Sequence, residues 1–169
     1  MKIKNLPLLL LFLIFSGCKF YSFSGISIAA GTETFWVYNF QNEASLIEPG
    51  IEREFTFALQ DLIQNQSSLT LDDKNPHLIY EGEITQYYIA PQTATSDNVA
   101  AQNRLTISIN VRFYNTKVPD GSEDFEKPFT FFFDFPGNAT PTGPVLVEAL
   151  EVIYERITQD IFNASLAKW

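Results

Sequence analysis

The chain is predicted to fold as one α+β domain, in which two amphipathic helices pack on one face of a four-stranded, mainly antiparallel sheet. Two patterns predict this class. Several segments alternate apolar and polar residues, and two others repeat apolar residues every three or four positions. The predicted order is β-α-β-β-β-α, and short turns between the later strands favour antiparallel hairpins. Both helices can therefore cover the apolar sheet face and leave the opposite face free.

The first two predicted elements are a strand within residues 33–40 and a helix over about residues 49–66. The strand segment is rich in aromatic and β-branched residues. Pro49 suits the first helical turn, and Glu48 beside it suits the positive N-terminal end of a helix. Residues 69–71 are compatible with a short extra strand. The apolar stripe of this helix consists of Ile51, Phe55, Leu59, Leu62 and Ile63.

Three strands are predicted next, within residues 77–90, 105–114 and 129–135. In the first, Tyr88 is expected on the apolar face with Leu78, Tyr80 and Ile84. The second has the strictest alternation of the chain, so one of its faces is core and the other is polar. The third is rich in phenylalanine, and Phe132 falls on the face opposite the other rings of that strand.

A final helix is predicted after Gly143–Pro144, with Thr142 as a candidate N-terminal cap. Its apolar stripe consists of Leu146, Leu150, Ile153, Ile157 and Ile161.

The first eighteen residues have the order of a secretory signal peptide. Lys2 and Lys4 precede an apolar run of ten residues, and Ser16–Gly17 supplies small residues before Cys18. The run is far shorter than the about 20 residues that a membrane-spanning helix needs. A cysteine directly after the small residues resembles a bacterial lipoprotein signal, in which the cysteine sulfur takes a diacylglycerol and the chain is cut before it. An ordinary signal peptide with an incidental cysteine is the alternative.

The expected domain organisation follows from this segment. Residues 1–17 are a removed signal peptide, residues 18–32 are the lipidated cysteine with a tether, and residues 33–169 are a single domain. Lys19 stands where lipoproteins kept at the inner membrane have aspartate, which favours the outer membrane. No acidic cluster follows it, so we expect a lipid-anchored domain that faces the periplasm.

Charge and composition exclude several classes of function. The chain has 11 basic and 20 acidic residues, and loss of Lys2 and Lys4 with the signal changes the formal net charge from −9 to about −11. Such a surface repels nucleic-acid phosphates, so no nucleic-acid partner is predicted. Cys18 is the single cysteine, which leaves no disulfide and no thiolate metal cluster.

No enzymatic constellation is evident. His77 is the single histidine, no Gly-x-Ser-x-Gly elbow occurs, and no glycine-rich phosphate loop is present. Glu81 and Glu83 lie on one strand face, where a polar sheet surface explains them better than acid–base chemistry. The sequence therefore predicts a protein that is not an enzyme, with no metal and no cofactor beyond the covalent lipid on Cys18.

Three residues are candidate contacts with a protein partner or with an anionic lipid head: Arg104, Arg112 and Phe132. Phe132 is interpreted as an interface ring, since large aromatic residues are enriched at interface cores, or as one exposed ring on a core strand. The two arginines share the polar face of one strand but lie about 26 Å apart at about 3.3 Å per residue. They are too distant for one phosphate, and an ordinary solvated face is the alternative.

Several segments resemble the lipopolysaccharide-assembly lipoprotein (LptE) family in its Bacteroidetes-like form. These segments are Gly17–Cys18 with Tyr21–Gly25, Phe40–Leu46, Tyr80–Thr85, Ala100–Ile107 and Asp160–Asn163. The resemblance implies a lipoprotein that inserts into, plugs and helps assemble an outer-membrane barrel of the LptD type, and that supports insertion of lipopolysaccharide into the outer leaflet. The alternative is a free periplasm-facing lipoprotein that binds a hydrophobic ligand or buttresses another envelope complex.

Overall fold

The computed structural model describes residues 28–46, 48–92, 102–136 and 140–167. The predicted signal peptide, Cys18 and most of the predicted tether lie outside the described residues. The described chain forms six strands and two helices. In order they are β1 (Thr34–Val37), β2 (Gln41–Asn42), α1 (Ile51–Gln66), β3 (Thr70–Leu71), β4 (Leu78–Gln92), β5 (Gln102–Asn115), β6 (Phe125–Pro136) and α2 (Pro144–Leu166).

The strands form one mixed sheet in the order β3-β1-β4-β5-β6, with β2 also paired to β4. The long strands β4, β5 and β6 are antiparallel neighbours, as predicted. The pairs β1–β3, β1–β4 and β2–β4 are parallel. The α+β class is confirmed, while the count of four strands was too low, because β2 and β3 have two residues each. The parallel pairing of β1 with β3 follows from the helical crossover through α1 that joins them.

Local sequence explains where the helices begin. Gly50 adopts a left-handed conformation (φ 91°) immediately before α1, and the acidic residues Glu52 and Glu54 lie in its first turn. Pro144 occupies the start of α2, where the missing N–H costs nothing. The predicted cap by Thr142 was wrong, because Gly143 precedes the helix and no side chain caps it.

Both helices pack on the same face of the sheet, as predicted, and enclose one hydrophobic core. The Tyr80 hydroxyl donates to Ser165 Oγ (2.9 Å), and the Tyr154 hydroxyl donates to the Ile51 carbonyl (3.0 Å), so both buried phenols are satisfied. Burial raises the pKa of both hydroxyls far above the ordinary tyrosine value. A Cβ at Gly82 would meet the Asn110 carbonyl oxygen and the Phe40 ring, so this position requires glycine.

Within the described residues, neither helix combines the length and the apolar character needed to cross a bilayer.

Candidate functional site

The sheet face opposite the helices, called the outer face here, is built by the three long strands. Cross-strand register aligns its side chains in rows that run from β4 through β5 to β6. The rows are Glu81–Arg112–Glu126, Glu83–Asn110–Pro128, Gln86–Ser108–Thr130, Tyr88–Thr106–Phe132 and Ala90–Arg104–Asp134. The outer face therefore contains all three predicted contact residues.

Arg112 is the centre of a carboxylate network on the outer face. Its Nε lies 3.0 Å from Glu81 Oε1, and its Nη1 lies 2.9 Å from Glu83 Oε2. The Asn110 amide donates to Glu83 (2.9 Å) and to Glu126 (2.8 Å), which joins the third carboxylate to the network. Hydrogen bonds to Glu81 and Glu83 raise the pKa of the Arg112 guanidinium above its ordinary value. Arg112 is therefore a neutralised cation, and the network as a whole is acidic.

Arg104 forms a second unit at the other end of the same strand. Its Nε and Nη2 donate to the two oxygens of Asp134 at 2.7 and 2.9 Å. This pairing lowers the pKa of the Asp134 carboxyl and raises that of the guanidinium. The guanidinium also lies 3.6 Å from the centroid of the Phe132 ring, a stacked cation–π contact. Arg104, Asp134 and Phe132 thus form one interacting group rather than three independent side chains.

Exposed aromatic rings flank the polar middle of the outer face. Phe132 is 39% exposed, which confirms that it lies opposite the core rings of β6, and Tyr88 in the same row is 47% exposed. Tyr114 is exposed in the row that contains Ile79, at the opposite end of the face. Large rings at the ends of a flat polar surface are suitable anchors for a protein partner.

Tyr88 was predicted on the wrong face. The register of β4 against β5 shifts between Ile84 and Gln86, so the side chains beyond this irregularity reverse their faces. As a result Tyr87 is buried in the core, and Tyr88 is exposed on the outer face. No local pattern in the sequence marks this bulge, so period-two reasoning continued through it.

The residues weighed as catalytic candidates have structural roles. His77 Nδ1 accepts a hydrogen bond from the Glu33 N–H (3.0 Å) and so stabilises the approach to β1. Glu81 and Glu83 both bind the Arg112 side chain rather than each other. Among the described residues, no group of three or more histidine, cysteine, aspartate or glutamate side chains is placed to hold a metal ion. Cys18 lies outside the described residues.

A cleft of about 440 Å³ lies between the N-terminal ends of the two helices. Its apolar wall includes Ile51, Leu146 and Leu150, and Tyr154 also lines it. The carboxylates that line it are Glu48, Glu54 and Glu151. This cleft has an apolar floor and an acidic border, so it differs in character from the flat outer face.

Solved structures of other proteins have a similar fold. The hypothetical protein CT253 from Chlamydia trachomatis is 9% identical, covers 81% of this chain and 99% of its own, and superposes with a TM-score of 0.55. A putative neuraminyllactose-binding hemagglutinin homolog from Helicobacter pylori is 10% identical, with coverages of 78% and 84% and a TM-score of 0.50. At these identities the similarity is one of fold alone.

Comparison of sequences gives the family. No curated protein matches the chain significantly. A family profile described as lipopolysaccharide-assembly matches residues 32–165, which includes every strand, all of α1 and all but the last residue of α2. The resemblance seen in the sequence is confirmed over most of the chain, and the protein belongs to the LptE family of lipopolysaccharide assembly.

Proposed function

We propose that this protein is an outer-membrane lipoprotein that forms a complex with the lipopolysaccharide-transporting outer-membrane barrel, plugs its lumen and helps it assemble. The observation that carries the proposal is the family match over residues 32–165. The protein supports the insertion of lipopolysaccharide into the outer leaflet through this barrel, as a binding partner rather than as an enzyme.

The outer face has the properties that a barrel lumen requires of a plug. The interior of a membrane barrel is polar, and every row of the outer face from Glu81 to Asp134 contains polar or charged side chains, with the rings of Tyr88 and Phe132 among them. Their side chains are already fixed by mutual hydrogen bonds, such as the one between Ser108 Oγ and Thr130 Oγ1 (2.8 Å). A surface that is ordered before binding loses little side-chain entropy when a partner covers it.

The proposed contact residues are still Arg104, Arg112 and Phe132. The two arginines would contact a polar wall, and Phe132 would supply an apolar contact. Both guanidinium groups are paired with carboxylates, so they suit a polar protein wall better than the phosphates of lipopolysaccharide. Phe132 and Tyr88 supply the large exposed rings. Direct contact with lipopolysaccharide at these positions would require Arg104 or Arg112 to release its carboxylate partner.

Co-purification tests the complex. The full-length protein with a C-terminal tag should retain the barrel protein after detergent extraction, and depletion of this protein should reduce lipopolysaccharide in the outer leaflet. A substitution of both outer-face rings, Phe132→Ser with Tyr88→Ser, should weaken the complex, while the matched substitution of an exposed helix residue, Val147→Ser, should not. Failure of the wild-type protein to retain the barrel would refute the proposed complex.

The lipid anchor has a separate test. We propose that Cys18 carries the lipid, because it directly follows the apolar run and the small residues Ser16 and Gly17. Several acyl chains at this position would give stable membrane attachment, where one chain is marginal. Mass spectrometry of the purified wild-type protein should find acyl chains on an N-terminal Cys18, and Cys18→Ala protein should lack them. A wild-type Cys18 without acyl chains would contradict the anchor.

The cleft between the helix ends favours a second candidate, a free periplasm-facing lipoprotein that binds a hydrophobic ligand. Its apolar wall would hold an aliphatic or aromatic body, and Glu48, Glu54 and Glu151 would favour a cationic group on that ligand. Val147→Lys changes a residue that lines the cleft and is 65% exposed, so it should weaken such binding without unfolding the protein. Wild-type protein that retains the barrel supports the first candidate, whereas wild-type protein that retains no barrel but binds a ligand in a manner sensitive to Val147→Lys supports the second.

A further inference from the structure

Strand β6 is the last strand of the sheet, and no described strand pairs with its other side. An edge strand of this kind presents a row of backbone groups to an incoming strand. Residues 125–136 make β6 a long edge for a small domain. The hydrogen bonds on the far side of the sheet determine which backbone groups of β6 face outward.

Two hydrogen bonds show which way the backbone groups of β4 face. The Tyr38 N–H donates to the Tyr80 carbonyl (2.9 Å), and the Glu43 N–H donates to the Ile84 carbonyl (3.0 Å), so these carbonyls face away from β5. Backbone groups of successive strand residues face alternate sides. Glu81 and Glu83 of β4 therefore face β5.

The pairing of β4 with β5 and of β5 with β6 then shows which way the backbone groups of β6 face. The β5 partners of Glu81 and Glu83 are Arg112 and Asn110, so even-numbered residues of β5 face β4 and odd-numbered residues face β6. Odd-numbered residues of β5 pair with odd-numbered residues of β6, for example Ile107 with Phe131. The N–H and carbonyl groups of even-numbered β6 residues consequently face the open edge.

Two prolines occupy even-numbered positions of β6, as this assignment requires. Pro128 and Pro136 lack an N–H, and each lacks it on the open edge, where no bond to β5 is lost. Between them, the N–H groups of Thr130, Phe132 and Asp134 face outward, and none of the three has a hydrogen-bond partner among the described residues. Residues 129–135, between the two prolines, are therefore the longest open segment of this edge.

The chemistry of the two sheet faces specifies the strand that would fit this opening. On the helix side, the half-buried rings of Phe129, Phe131 and Phe133 border the edge. On the outer face, the side chains of Thr130, Phe132 and Asp134 are exposed, so two polar groups lie on either side of one ring. A strand added here must present apolar residues to one side and polar residues to the other. Strands of membrane barrels have this period-two pattern, apolar toward lipid and polar toward the lumen.

We infer that the open edge of β6, residues 129–135, binds an unpaired amphipathic strand of the barrel partner before that barrel closes. The inference rests on the proposed function and deepens it, since it assigns a surface to the assistance in assembly. A closed barrel has no unpaired strand, so the edge serves the assembling barrel and the outer face serves the finished one. A second copy of this chain is a poorer occupant, because two mature chains of about −11 formal charge repel each other.

The test uses the full-length lipidated protein in detergent and synthetic ten-residue peptides that copy single strands of the barrel protein from the same bacterium. The alternating peptides should bind, and peptides of the same composition with their apolar residues grouped should not. Thr130→Pro removes one outward N–H and should weaken binding tenfold or more. Thr130→Val keeps that N–H while losing the same hydroxyl, so its affinity should stay within about twofold of wild type.

A second pair of variants guards against misfolding. Asp134→Pro with Asp134→Asn as its control repeats the comparison one position along the edge, and thermal unfolding reports whether each variant is folded. Equal peptide affinity for a folded proline variant and its control, or equal binding of alternating and grouped peptides, would overturn the inference. A wild-type dimer that Thr130→Pro dissociates would also overturn it, since the occupant would then be a second copy.

The proposed function and the inference fail in different ways. If the barrel co-purifies but no strand peptide binds, the edge assignment falls and the complex stands. If alternating peptides bind in the manner described but the folded barrel does not co-purify, the edge assignment stands and the complex falls.

Discussion

The two faces of strand β5 are built by alternate residues of one segment, yet different interactions stabilise them. Ile107, Ile109 and Val111 face the helices and are completely buried. Thr106 and Ser108 face the other way and are only 7% and 5% exposed, although no described helix covers them. One face is covered by the helices, and the other by its own neighbouring side chains: Tyr88 and Phe132 flank Thr106, and Thr130 forms a hydrogen bond with Ser108. The comparison teaches that low exposure on the outer face reflects neighbouring side chains of the same face, not a hidden core.

The largest effect is expected from one substitution on each face of β5 at adjacent positions. Ile109→Ala should lower the free energy of unfolding by about 3 kcal/mol, because it removes buried methyl groups and leaves a cavity. Asn110→Ala should cost only about 1 kcal/mol, since it removes hydrogen bonds to Glu83 and Glu126 at a partly exposed site. Denaturant unfolding of both variants measures the difference. Equal losses would show that the outer face is as tightly packed as the core.

A smaller effect should come from removing the cation at the centre of the outer face. Arg112→Gln leaves Glu81 and Glu83 without their cation and should cost about 1–2 kcal/mol. Arg156→Gln is the matched control on α2, where Arg156 pairs with Asp160 at an exposed i, i+4 position and should matter by about 0.3–0.5 kcal/mol. High salt should reduce the stability cost of Arg112→Gln only partly, and unfolding measured at low and high salt tests this. A cost no larger than that of Arg156→Gln would mean that the network is an ordinary solvated surface.

Sequence periodicity anticipated both faces of β5 because regular alternation continues without a break from Leu105 to Tyr114. It failed in β4, where one irregular position between Ile84 and Gln86 exchanged the faces of Tyr87 and Tyr88. Such a shift is set by pairing between distant strands, and neighbouring residues in the chain do not encode it.

The candidate contact residues show the same division between local and distant information. The strand face of Arg104, Arg112 and Phe132 could be predicted, since it follows from counting along one strand. Their partners could not, because Arg104 meets Asp134 and Arg112 meets Glu81 only after three strands align in register. Each arginine, a candidate contact for a partner in the sequence, is therefore paired within the chain, and this changed the chemistry proposed for the face.

The smallest expected effect is a dependence on pH at the Arg104–Asp134 pair. The pKa of the Asp134 carboxyl is lowered in the folded protein, chiefly by its hydrogen bonds with Arg104. A carboxyl with a lowered folded pKa stabilises the fold above its unfolded pKa of about 3.9 and loses that contribution as the pH falls through the folded value. Asp134→Asn should therefore be slightly less stable than wild type at pH 7, and the two should converge below about pH 4. Thermal unfolding across this range measures the gap. A gap that stays constant from pH 7 to pH 3 would show that Asp134 supports the outer face through its shape and hydrogen bonds rather than its charge.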